Sequence, residues 1–431
     1  MRPQKVRTRL FSKGKGHTRV AFRFEVVVIG NHRQTLTVVR SLARASYRVI
    51  VGRSEPHAFT QYSRYVDEIW DHPEPDCQGE EFLTALAAYA QLRPAPLCIF
   101  PVGEMELSLL ARSLPELPPE TMIVMPDPST VLTCLDKVAF YELAAWLGLP
   151  VAEFCRVRSM PELLAQAEAV GFPCVVKPLS SLADFREQKA VILRHRDDLP
   201  SKLPSWPLGH TSLIVQRFAG GLRHNCHFLA DQGELLAYFE QRVLRTDRPD
   251  YTGFGVDGDS VAPTDALKQH TARLVRELGY SGLGCMQFLV DPARDTISLL
   301  ELNPRLDATC AIPYYCGYDF PAMAVELAAY RRQHTGNRPA NDSAYPLRRG
   351  VWSSGDLIRL GQDIRRQRVS WGDVPGRLLR IARSFWQADF HLTWSWRDPL
   401  PTAHVFAGML RAVFRRGLEF VSRGSRRDRS L

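Results

Sequence analysis

Residues 285–305 read CMQFLVDPARDTISLLELNPR, and their pattern predicts a β-hairpin. Apolar residues dominate two segments, Gly284–Val290 and Thr296–Asn303, as expected for strands. The residues between them include two aspartates and a proline, which favour a turn. The sequence therefore predicts two antiparallel strands joined by a short connection.

The register of this hairpin decides which side chains meet. Three pairs follow from a pairing that is symmetric about Arg294: Asp291 with Ile297, Leu289 with Leu299, and Gln287 with Glu301. Asn303 is two residues beyond Glu301 and therefore shares its face. A slip of one residue would turn Gln287 to the opposite face.

This face presents a set of oxygen atoms that suits a magnesium ion. Gln287, Glu301 and Asn303 offer two amide oxygens and a carboxylate, which are the hard ligands that Mg²⁺ prefers. Arg305 follows beyond a proline and suits a phosphoryl group or a carboxylate. The alternative is a surface hairpin with a polar wet side, although the apolar run at 297–300 indicates burial of one face.

Length and composition predict a globular protein of two or three compact units, because 431 residues exceed one ordinary domain. The sequence has no run of 18 apolar residues, so we expect no membrane-spanning helix. We also expect no signal peptide. The nine cysteines are odd in number and lack a C-x-x-C motif. They are interpreted as reduced thiols of a cytoplasmic protein.

The net charge of +9 is unevenly distributed along the chain. Residues 1–23 carry +8 and are predicted to be a disordered basic tail, whereas residues 331–431 carry +12. The body between them, 24–330, carries −11. The basic flanks are either solvated surface or a contact for something anionic, such as a membrane surface, a polyanionic glycan or an acidic protein.

The first folded segment predicts a parallel α/β domain. The predicted strands are Glu25–Ile29, Tyr47–Val51, Leu97–Phe100 and Met122–Val124, and the predicted helices are Thr35–Ala45, Glu80–Leu92 and Glu104–Arg112. The dinucleotide fingerprint G-x-G-x-x-G is missing after the first strand, which disfavours a dehydrogenase. Ligand-facing groups are expected at the strand ends near Gly30–Arg33 and Pro101–Glu104.

Two lysines stand out in the next segment. Lys137 precedes the predicted helix Ala139–Leu147, and Lys177 ends the predicted strand FPCVVKP at 172–178. A lysine at a buried strand end is unfavourable unless an anion meets it. A second strand, Leu213–Phe218, and a helix, Thr264–Leu278, then lead to the hairpin.

Taken together, these motifs resemble the ATP-grasp superfamily, with likeness to the carbamoyl-phosphate synthetase large chain and to biotin-carboxylase-like relatives. They are Asp136-Lys137, FPCVVKP at 172–178, IVQRF at 214–218, GDSVAP at 258–263, and the set Gln287, Glu301, Asn303 and Arg305. The resemblance covers residues 24–330. It implies an α/β and α+β protein, with a pre-ATP-grasp domain at 24–134 and a two-lobed ATP-grasp domain at 135–330.

The resemblance also implies roles for individual residues. Lys137 and Lys177 would bind the phosphates of ATP, Lys177 also lying near the adenine, with Gln216, Arg217 and Phe218 in the adenine hinge Val215–Phe218. Gln287 and Glu301 would hold one Mg²⁺ (or Mn²⁺) ion, Glu301 and Asn303 a second, and Arg305 would stabilise the transferring phosphoryl group. The implied reaction is activation of a carboxylate, or of bicarbonate, as an acyl phosphate that an amine or similar nucleophile captures.

Two departures from the family pattern accompany this resemblance. Residues 178–190 contain no glycine where relatives carry a glycine-rich loop, so Ser180, Ser181 and Lys189 are expected to contact the phosphates. Arg217 stands where many relatives have an acid, so Glu240 is the expected ribose contact. The alternative function is a catalytically degenerate ATP-binding protein that docks to a partner or membrane through its C-terminal region.

Residues 331–431 are predicted to form a basic, tryptophan-rich, mainly helical region. Amphipathic patterns at Pro375–Phe390 and His404–Arg416 combine apolar residues with arginines. Their apolar faces either cover the ATP-grasp domain or a second subunit, or contact a membrane surface peripherally. Nucleic acid is not an expected partner, because no binding module is present. The expected substrates are a small-molecule carboxylate and an amine.

Overall fold

The computed structural model describes residues 24–55, 58–180, 185, 188–248, 250–333, 337–409 and 411. The strands of these residues form sheets of five, seven and four strands. The predicted basic tail and most of the chain after residue 409 lie outside the described residues. Where the chain is described, none of its helices combines the length and the apolar character needed to cross a membrane.

The five-stranded sheet is parallel, as predicted, and its order is β3-β2-β1-β4-β5. Its strands are β1 (Glu25–Ile29), β2 (Arg48–Arg53), β3 (Glu68–Asp71), β4 (Leu97–Pro101) and β5 (Met122–Ile123), and its helices are α1 (Arg33–Arg44), α2 (Gly79–Gln91), α3 (Glu104–Arg112) and α4 (Pro128–Leu135). The strand order reverses between β1 and β4, so a crevice opens at their carboxyl ends. Gly30–Arg33 and Pro101–Glu104 lie at these ends, where ligand-facing groups were expected.

The four-stranded sheet is antiparallel and has the order β6-β9-β7-β8. Its strands are β6 (Phe154–Val157), β7 (Cys174–Pro178), β8 (Val191–Leu193) and β9 (Leu213–Arg217). The helix α5 (Lys137–Trp146) precedes them in the chain, and α6 (Met160–Val170) and α7 (Leu199–Lys202) lie between them in sequence. The predictions of β7 and β9 are confirmed, because both are continuous apolar segments buried in a core of their own. The short strand β6 is partly exposed and was missed.

The seven-stranded sheet carries the hairpin and has the order β14-β13-β10-β11-β12-β15-β16. Its elements are β10 (Leu222–Asp231), β11 (Glu234–Thr246), β12 (Gly255–Ser260), α8 (Asp265–Glu277), β13 (Gly282–Asp291), β14 (Thr296–Asn303), α9 (Ala311–Tyr315), α10 (Phe320–Gln333), β15 (Arg349–Val351), α11 (Ser353–Arg365), α12 (Val374–Gln387) and β16 (Phe390–His391). One hydrophobic core joins this sheet to β1 and α1 of the parallel sheet.

The predicted hairpin is confirmed, but part of its predicted register is wrong. Gln287 does lie opposite Glu301, as expected. Nearer the turn, however, Leu289 pairs with Ser298 rather than Leu299, and Asp291 with Thr296 rather than Ile297. The register shifts between Gln287 and Phe288 because Leu300 is an extra residue in β14, which makes a β-bulge.

The bulge is supported by a buried tyrosine of α5. The Tyr141 hydroxyl donates a hydrogen bond to the Leu300 carbonyl oxygen at 2.6 Å. A bulged residue leaves its backbone groups outside the ladder, and Tyr141 supplies the missing partner. The bulge therefore restores the pairing of Gln287 with Glu301 that a regular hairpin with this turn would not give.

The expectation of a mainly helical C-terminal region is only partly correct. Helix α12 lies at the predicted Pro375–Phe390, and residues 400–409 are helical at the start of the predicted His404–Arg416, whereas no individual helix was predicted at α11. However, β15 and β16 extend the seven-stranded sheet, β15 pairing with β12. The segment is therefore built into the sheet, which its arginine-rich composition did not reveal.

A buried ion pair joins the C-terminal segment to the parallel α/β unit. Arg40 Nε of α1 lies 3.0 Å from Asp398 Oδ2, and the two side chains are 5% and 1% exposed. Asp398 also accepts hydrogen bonds from Ser63 Oγ at 2.8 Å and from the Arg64 amide at 3.0 Å. Every oxygen of this carboxylate is thus engaged by the α/β unit.

We expect Asp398→Ala to lower the free energy of unfolding by about 3–5 kcal/mol, because it leaves Arg40 charged and buried without a counter-charge. Urea unfolding followed by circular dichroism measures the change. Asp342→Ala removes an exposed carboxylate from the same segment and serves as the control, with a change within about 0.5 kcal/mol. Equal effects of the two substitutions would contradict the docking role of Asp398.

Candidate functional site

The candidate site lies where α5, β7 and β9 face the β13–β14 hairpin. Lys137 is the first residue of α5, whose N-cap Asp136 accepts hydrogen bonds from the amides of Val138 and Ala139. The Lys137 ammonium group is near the Leu179 carbonyl oxygen, at 3.5 Å. Burial lowers the pKa of Lys137, and the nearby carboxylate of Glu301 opposes that decrease.

Lys177 is the better buried of the two lysines, with 6% of its surface exposed. Its Nζ donates hydrogen bonds to Tyr141 Oη at 2.5 Å and to Gln216 Oε1 at 2.6 Å. Burial lowers the pKa of Lys177 to about 7, and the neighbouring charge of Lys137 lowers it further, whereas Glu301 raises it. Lys177 forms no ion pair with a carboxylate among the described residues, so an anion that binds nearby would stabilise its ammonium form.

The three expected hinge residues differ in position. Gln216 is buried in β9 and also donates to the Ala152 carbonyl oxygen at 3.2 Å. Arg217, in contrast, is exposed and pairs with Glu153 at 2.6 Å. Phe218 is half-buried beyond the strand, its amide donating to the Pro173 carbonyl oxygen at 3.2 Å. Gln216 thus faces Lys177, and Arg217 points away from it.

The three expected metal ligands share one face of the hairpin. The Asn303 amide donates a hydrogen bond to Glu301 Oε1 at 3.0 Å, and Gln287 lies opposite Glu301. The amide nitrogen of Gln287 donates to Asp307 Oδ2 at 3.3 Å, which turns its oxygen the other way. That oxygen is buried and has no hydrogen-bond partner. A buried acceptor without a donor is what a cation would satisfy, so the residues fit a metal ion.

The carboxylate of Glu301 stays ionised because cations surround it. Burial alone would raise its pKa, but the ammonium groups of Lys189 and Lys137 and the hydrogen bond from Asn303 outweigh burial and lower the pKa. Arg223 acts in the same direction. An ionised carboxylate is the form that binds Mg²⁺.

Arg305 links the hairpin to the crevice of the parallel sheet. Its guanidinium group forms an ion pair with Glu104 at 2.9 Å and donates to the Leu306 carbonyl oxygen at 3.1 Å. The Arg305 Nε atom is buried without a partner. His32, at the end of β1, is an electrostatic neighbour of both Arg305 and Glu104, and its pKa is lowered, first by burial and then by Arg305.

Sequence reasoning missed Asp307 and Arg223. Asp307 accepts hydrogen bonds from Asn225, Gln287 and the Thr309 amide. Burial would raise the pKa of Asp307, but surrounding positive groups and the Thr309 hydrogen bond lower it. Asp307 stands two residues after Arg305, so the spacing was an available signal. Arg223 offered none, because only the pairing of β10 with β13 brings it near.

Asp307 also belongs to a second group of potential ligand atoms. His227, Cys285 and Asp307 bring one atom each within 4.8 Å of one another. Burial lowers the pKa of His227 to about 4, and both ring nitrogens lack hydrogen-bond partners. The Asp307 oxygens already accept several hydrogen bonds, so this group is less open to an ion than the hairpin face.

The predicted phosphate loop is only partly described. Ser180 is half-buried after β7, whereas Ser181 lies outside the described residues. The Lys189 ammonium group lies 4.1 Å from the centre of the Phe254 ring. Glu240, the expected ribose contact, is fully buried. It accepts hydrogen bonds from His224 and from the Thr264 amide and hydroxyl, so its carboxylate is engaged within the protein.

The family described as "Carbamoyl-phosphate synthase L chain, ATP binding domain" matches residues 260–333. The large chain of carbamoyl phosphate synthase from Rubrobacter xylanophilus is 29% identical over 316 residues, covering 67% of this chain and 28% of that relative. The chain thus spans less than a third of the relative's length.

Two solved structures are similar to the whole arrangement. N5-carboxyaminoimidazole synthetase from Staphylococcus aureus, complexed with ADP, has a TM-score of 0.59 and 14% identity, covering 81% of this chain and 88% of that one. Biotin carboxylase from Campylobacter jejuni, in a β-γ-ATP complex, has a TM-score of 0.57 and 16% identity, covering 75% and 74%. The chain has an ATP-grasp fold.

The resemblance to the ATP-grasp superfamily is therefore confirmed, together with its likeness to the carbamoyl-phosphate synthetase large chain. The prediction of an ATP-grasp enzyme agrees with these relatives and structural neighbours, which are themselves a synthase, a synthetase and a carboxylase. They do not support the alternative of a degenerate binder. In this fold, Lys177 comes from the four-stranded sheet, whereas Lys137 begins α5, which packs in the same core as the β13–β14 hairpin that carries the oxygen ligands.

The lowered pKa of Lys177 predicts a pH dependence of stability in the nucleotide-free protein. Below pH 7 the folded and unfolded states both bind the proton, and burying the charge is fully unfavourable. As the pH rises from about 7 towards the unfolded-state pKa of 10.5, only the unfolded state keeps it, so stability rises. Between pH 7.5 and 9.5 we expect wild type to gain roughly 2 kcal/mol relative to Lys177→Met.

Urea unfolding at several pH values measures this difference. Lys268→Met removes an exposed lysine of α8 and should run parallel to wild type across the same range. A Lys177→Met curve that is also parallel to wild type would contradict the burial of a charged group at this position.

Proposed function

We propose that this protein is an ATP- and Mg²⁺-dependent ligase that activates a carboxylate as an acyl phosphate and transfers it to an amine or a similar nucleophile. The observation that carries the proposal is the environment of Glu301. This half-buried carboxylate is paired with Gln287, whose amide oxygen has no hydrogen-bond partner, and the ammonium groups of Lys189 and Lys137 act on it. Such a combination of oxygen ligands and cationic side chains suits a nucleoside triphosphate and its metal ions.

In this proposal, Gln287 and Glu301 hold one Mg²⁺ (or Mn²⁺) ion, and Glu301 and Asn303 hold a second. The ions, when bound, neutralise the phosphate oxygens. Lys137 and Lys177 bind the phosphates, assisted by Ser180, Ser181 and Lys189. Gln216 and Phe218 line the adenine pocket, while the exposed position of Arg217 leaves it only a role at the rim.

In this proposal, Arg305 stabilises the transferring γ-phosphoryl group. A carboxylate oxygen of the substrate attacks the γ-phosphorus, and the bond to the bridging oxygen of ADP breaks. The amine then attacks the carbonyl carbon of the acyl phosphate, phosphate leaves, and the nitrogen loses a proton. Charge accumulates on the phosphoryl oxygens, so a guanidinium group fixed by Glu104 contributes by preorganisation rather than by proton transfer.

The test of the proposal combines two measurements on the full chain. Isothermal titration with Mg-ATP measures binding, and ADP release over a panel of carboxylates and amines measures turnover. We expect both. Binding without turnover on any panel member would contradict the ligase proposal.

Glu301→Gln should lower turnover by on the order of 100-fold or more, because it removes a fixed charge while keeping the shape of the side chain. The variant should fold normally, as checked by circular dichroism. Glu277→Gln on α8 changes an exposed carboxylate and is the matched control, with unchanged turnover. Turnover of Glu301→Gln equal to that of the control would contradict the metal assignment.

We also propose a division into domains at 24–134, 135–330 and 331–431. Formation of a homo-oligomer is an alternative role for the C-terminal region.

We propose a cytoplasmic location, which the cysteines support. All nine lie in described residues, none forms a disulfide, and seven are buried. Such thiols suit a reducing compartment.

The exposed face of α12 supports peripheral binding to an anionic membrane surface. Leu379 and Trp386 are 72% and 82% exposed, and Arg380 and Arg383 are exposed beside them. Apolar residues flanked by arginines on one helix are typical of a helix that lies in the headgroup layer. Trp146 on α5 is also exposed, but no arginine lies near it in the sequence.

We expect the double variant Leu379→Glu and Trp386→Glu to lose flotation with vesicles that contain phosphatidylserine, because it removes apolar contact and adds negative charge. Trp146→Glu changes a tryptophan that is 72% exposed and serves as the control. Flotation of the double variant that equals wild type would rule out α12 as the anchor.

A further inference from the structure

A cavity of about 330 Å³ lies beside the proposed phosphoryl-transfer site. Most of its walls come from the start of α1, the loop before β12 and the C-terminal segment, and Phe59 and Ala308 complete them. Its lining includes Arg33, Phe254, Trp352, Ile358, Thr402 and Val405. The volume lies at the lower end of the range for small-molecule pockets.

One end of the cavity is suited to an anion. Arg33 is 8% exposed, and no carboxylate of the described residues lies within ion-pair distance of it. Its guanidinium group donates to the Gly255 carbonyl oxygen at 2.8 Å and stacks over the Trp352 ring at 4.2 Å. The Nε atom is buried and has no hydrogen-bond partner. Burial lowers the pKa of Arg33 to about 10, so the group is still a cation at neutral pH.

The helix α1 adds to this positive end. Residues 31–34 line the cavity at the N-terminus of this 12-residue helix, which has no acidic residue in its first turn. Backbone amides and the helix dipole favour an anion at this position. A buried arginine and a helix N-terminus therefore converge at this end, and the carboxylates of Asp307 and Asp247 act on Arg33 only from beyond ion-pair distance.

The remainder of the cavity is mainly apolar. Phe254, Ile358 and Val405 face the same space as Trp352. Thr402 adds a buried hydroxyl without a partner, whereas the hydroxyls of Ser354 and Thr393 hydrogen-bond to each other. Ile358, Thr402 and Val405 belong to the helices that follow β15, so the C-terminal segment shapes the apolar end.

The cavity is next to the reacting groups. His32 lines it and is also an electrostatic neighbour of Arg305 and Glu104. Ala308, which follows Asp307 in sequence, lines it as well. A molecule in the cavity can therefore present one end to the space near Arg305.

We propose that this cavity binds one of the organic substrates, and that the substrate is a small carboxylic acid with an apolar or aromatic body. A carboxylate of the molecule pairs with Arg33 at the start of α1, and its body packs against Phe254, Trp352 and Ile358. Its role as a substrate rests on the proposed function, whereas its binding does not. A planar carboxylate matches the guanidinium fork, which distinguishes it from a tetrahedral phosphate.

Isothermal titration of the full chain without ATP tests the proposal, with phenylacetate, phenylacetamide and phenyl phosphate as probes. We expect phenylacetate to bind at least about ten-fold more tightly than its amide, because a charge-assisted hydrogen bond is lost in the amide. Arg33→Gln should abolish this preference. Arg276→Gln, which changes an exposed arginine of α8, should leave it unchanged.

A second variant keeps the test valid if Arg33→Gln folds poorly. Ile358→Trp fills the apolar end, so it should abolish phenylacetate binding while Mg-ATP binding persists. Equal binding of acid and amide to wild type, or an acid preference that survives in Arg33→Gln, would overturn the proposal. Tighter binding of phenyl phosphate than phenylacetate would overturn the carboxylate assignment.

The outcome also separates this proposal from the proposed function. Acid binding that depends on Arg33, without ADP release on any panel, supports the cavity and contradicts the ligase. ADP release that Arg33→Gln does not change supports the ligase and contradicts the cavity as its substrate site.

Discussion

The hydroxyl group of Tyr141 holds the two lobes of the site together. It accepts a hydrogen bond from Lys177 Nζ at 2.5 Å and donates one to the Leu300 carbonyl oxygen at 2.6 Å. Leu300 is the bulged residue that brings Glu301 opposite Gln287. Because burial raises the pKa of the Tyr141 phenol, the group stays protonated and keeps donating. One fully buried phenol thus relates the lysine of β7 to the metal ligands of β14.

The charged groups around this contact favour the binding of an anion. Glu301 is kept ionised by neighbouring cations, while burial and repulsion from Lys137 lower the pKa of Lys177. Positive charge in the cleft therefore exceeds what its own carboxylates neutralise. Phosphate groups in the cleft would raise the pKa of Lys177 and remove the repulsion. The same logic applies to Arg33, a buried cation that forms no ion pair among the described residues, although the carboxylates of Asp307 and Asp247 act on it from a longer distance.

The division of charge along the sequence has an internal explanation. Arginines of the C-terminal segment pair with acids of the body: Arg349 with Asp257 at 2.6 Å, and Arg338 with Glu234 at 2.6 Å. In the other direction, Arg245 of β11 pairs with Asp356 of α11 at 2.5 Å. The basic segment is therefore in part the electrostatic complement of an acidic body. The exposed Arg380 and Arg383 of α12 form no ion pair among the described residues and are available for an external anionic surface.

The sequence by itself determined the strands β7, β9, β13 and β14 that carry the site, the helix that follows Lys137, the ATP-grasp resemblance and the pairing of Gln287 with Glu301, because periodicity and motif spacing are local properties. It did not reveal the bulge at Leu300, because the Tyr141 hydroxyl that stabilises it is 159 residues away. Nor did it assign Arg223, or place Arg33 beside Trp352. Those positions depend on strand pairing and on the docking of the C-terminal segment, and long-range contacts of this kind leave no periodic signal in the chain.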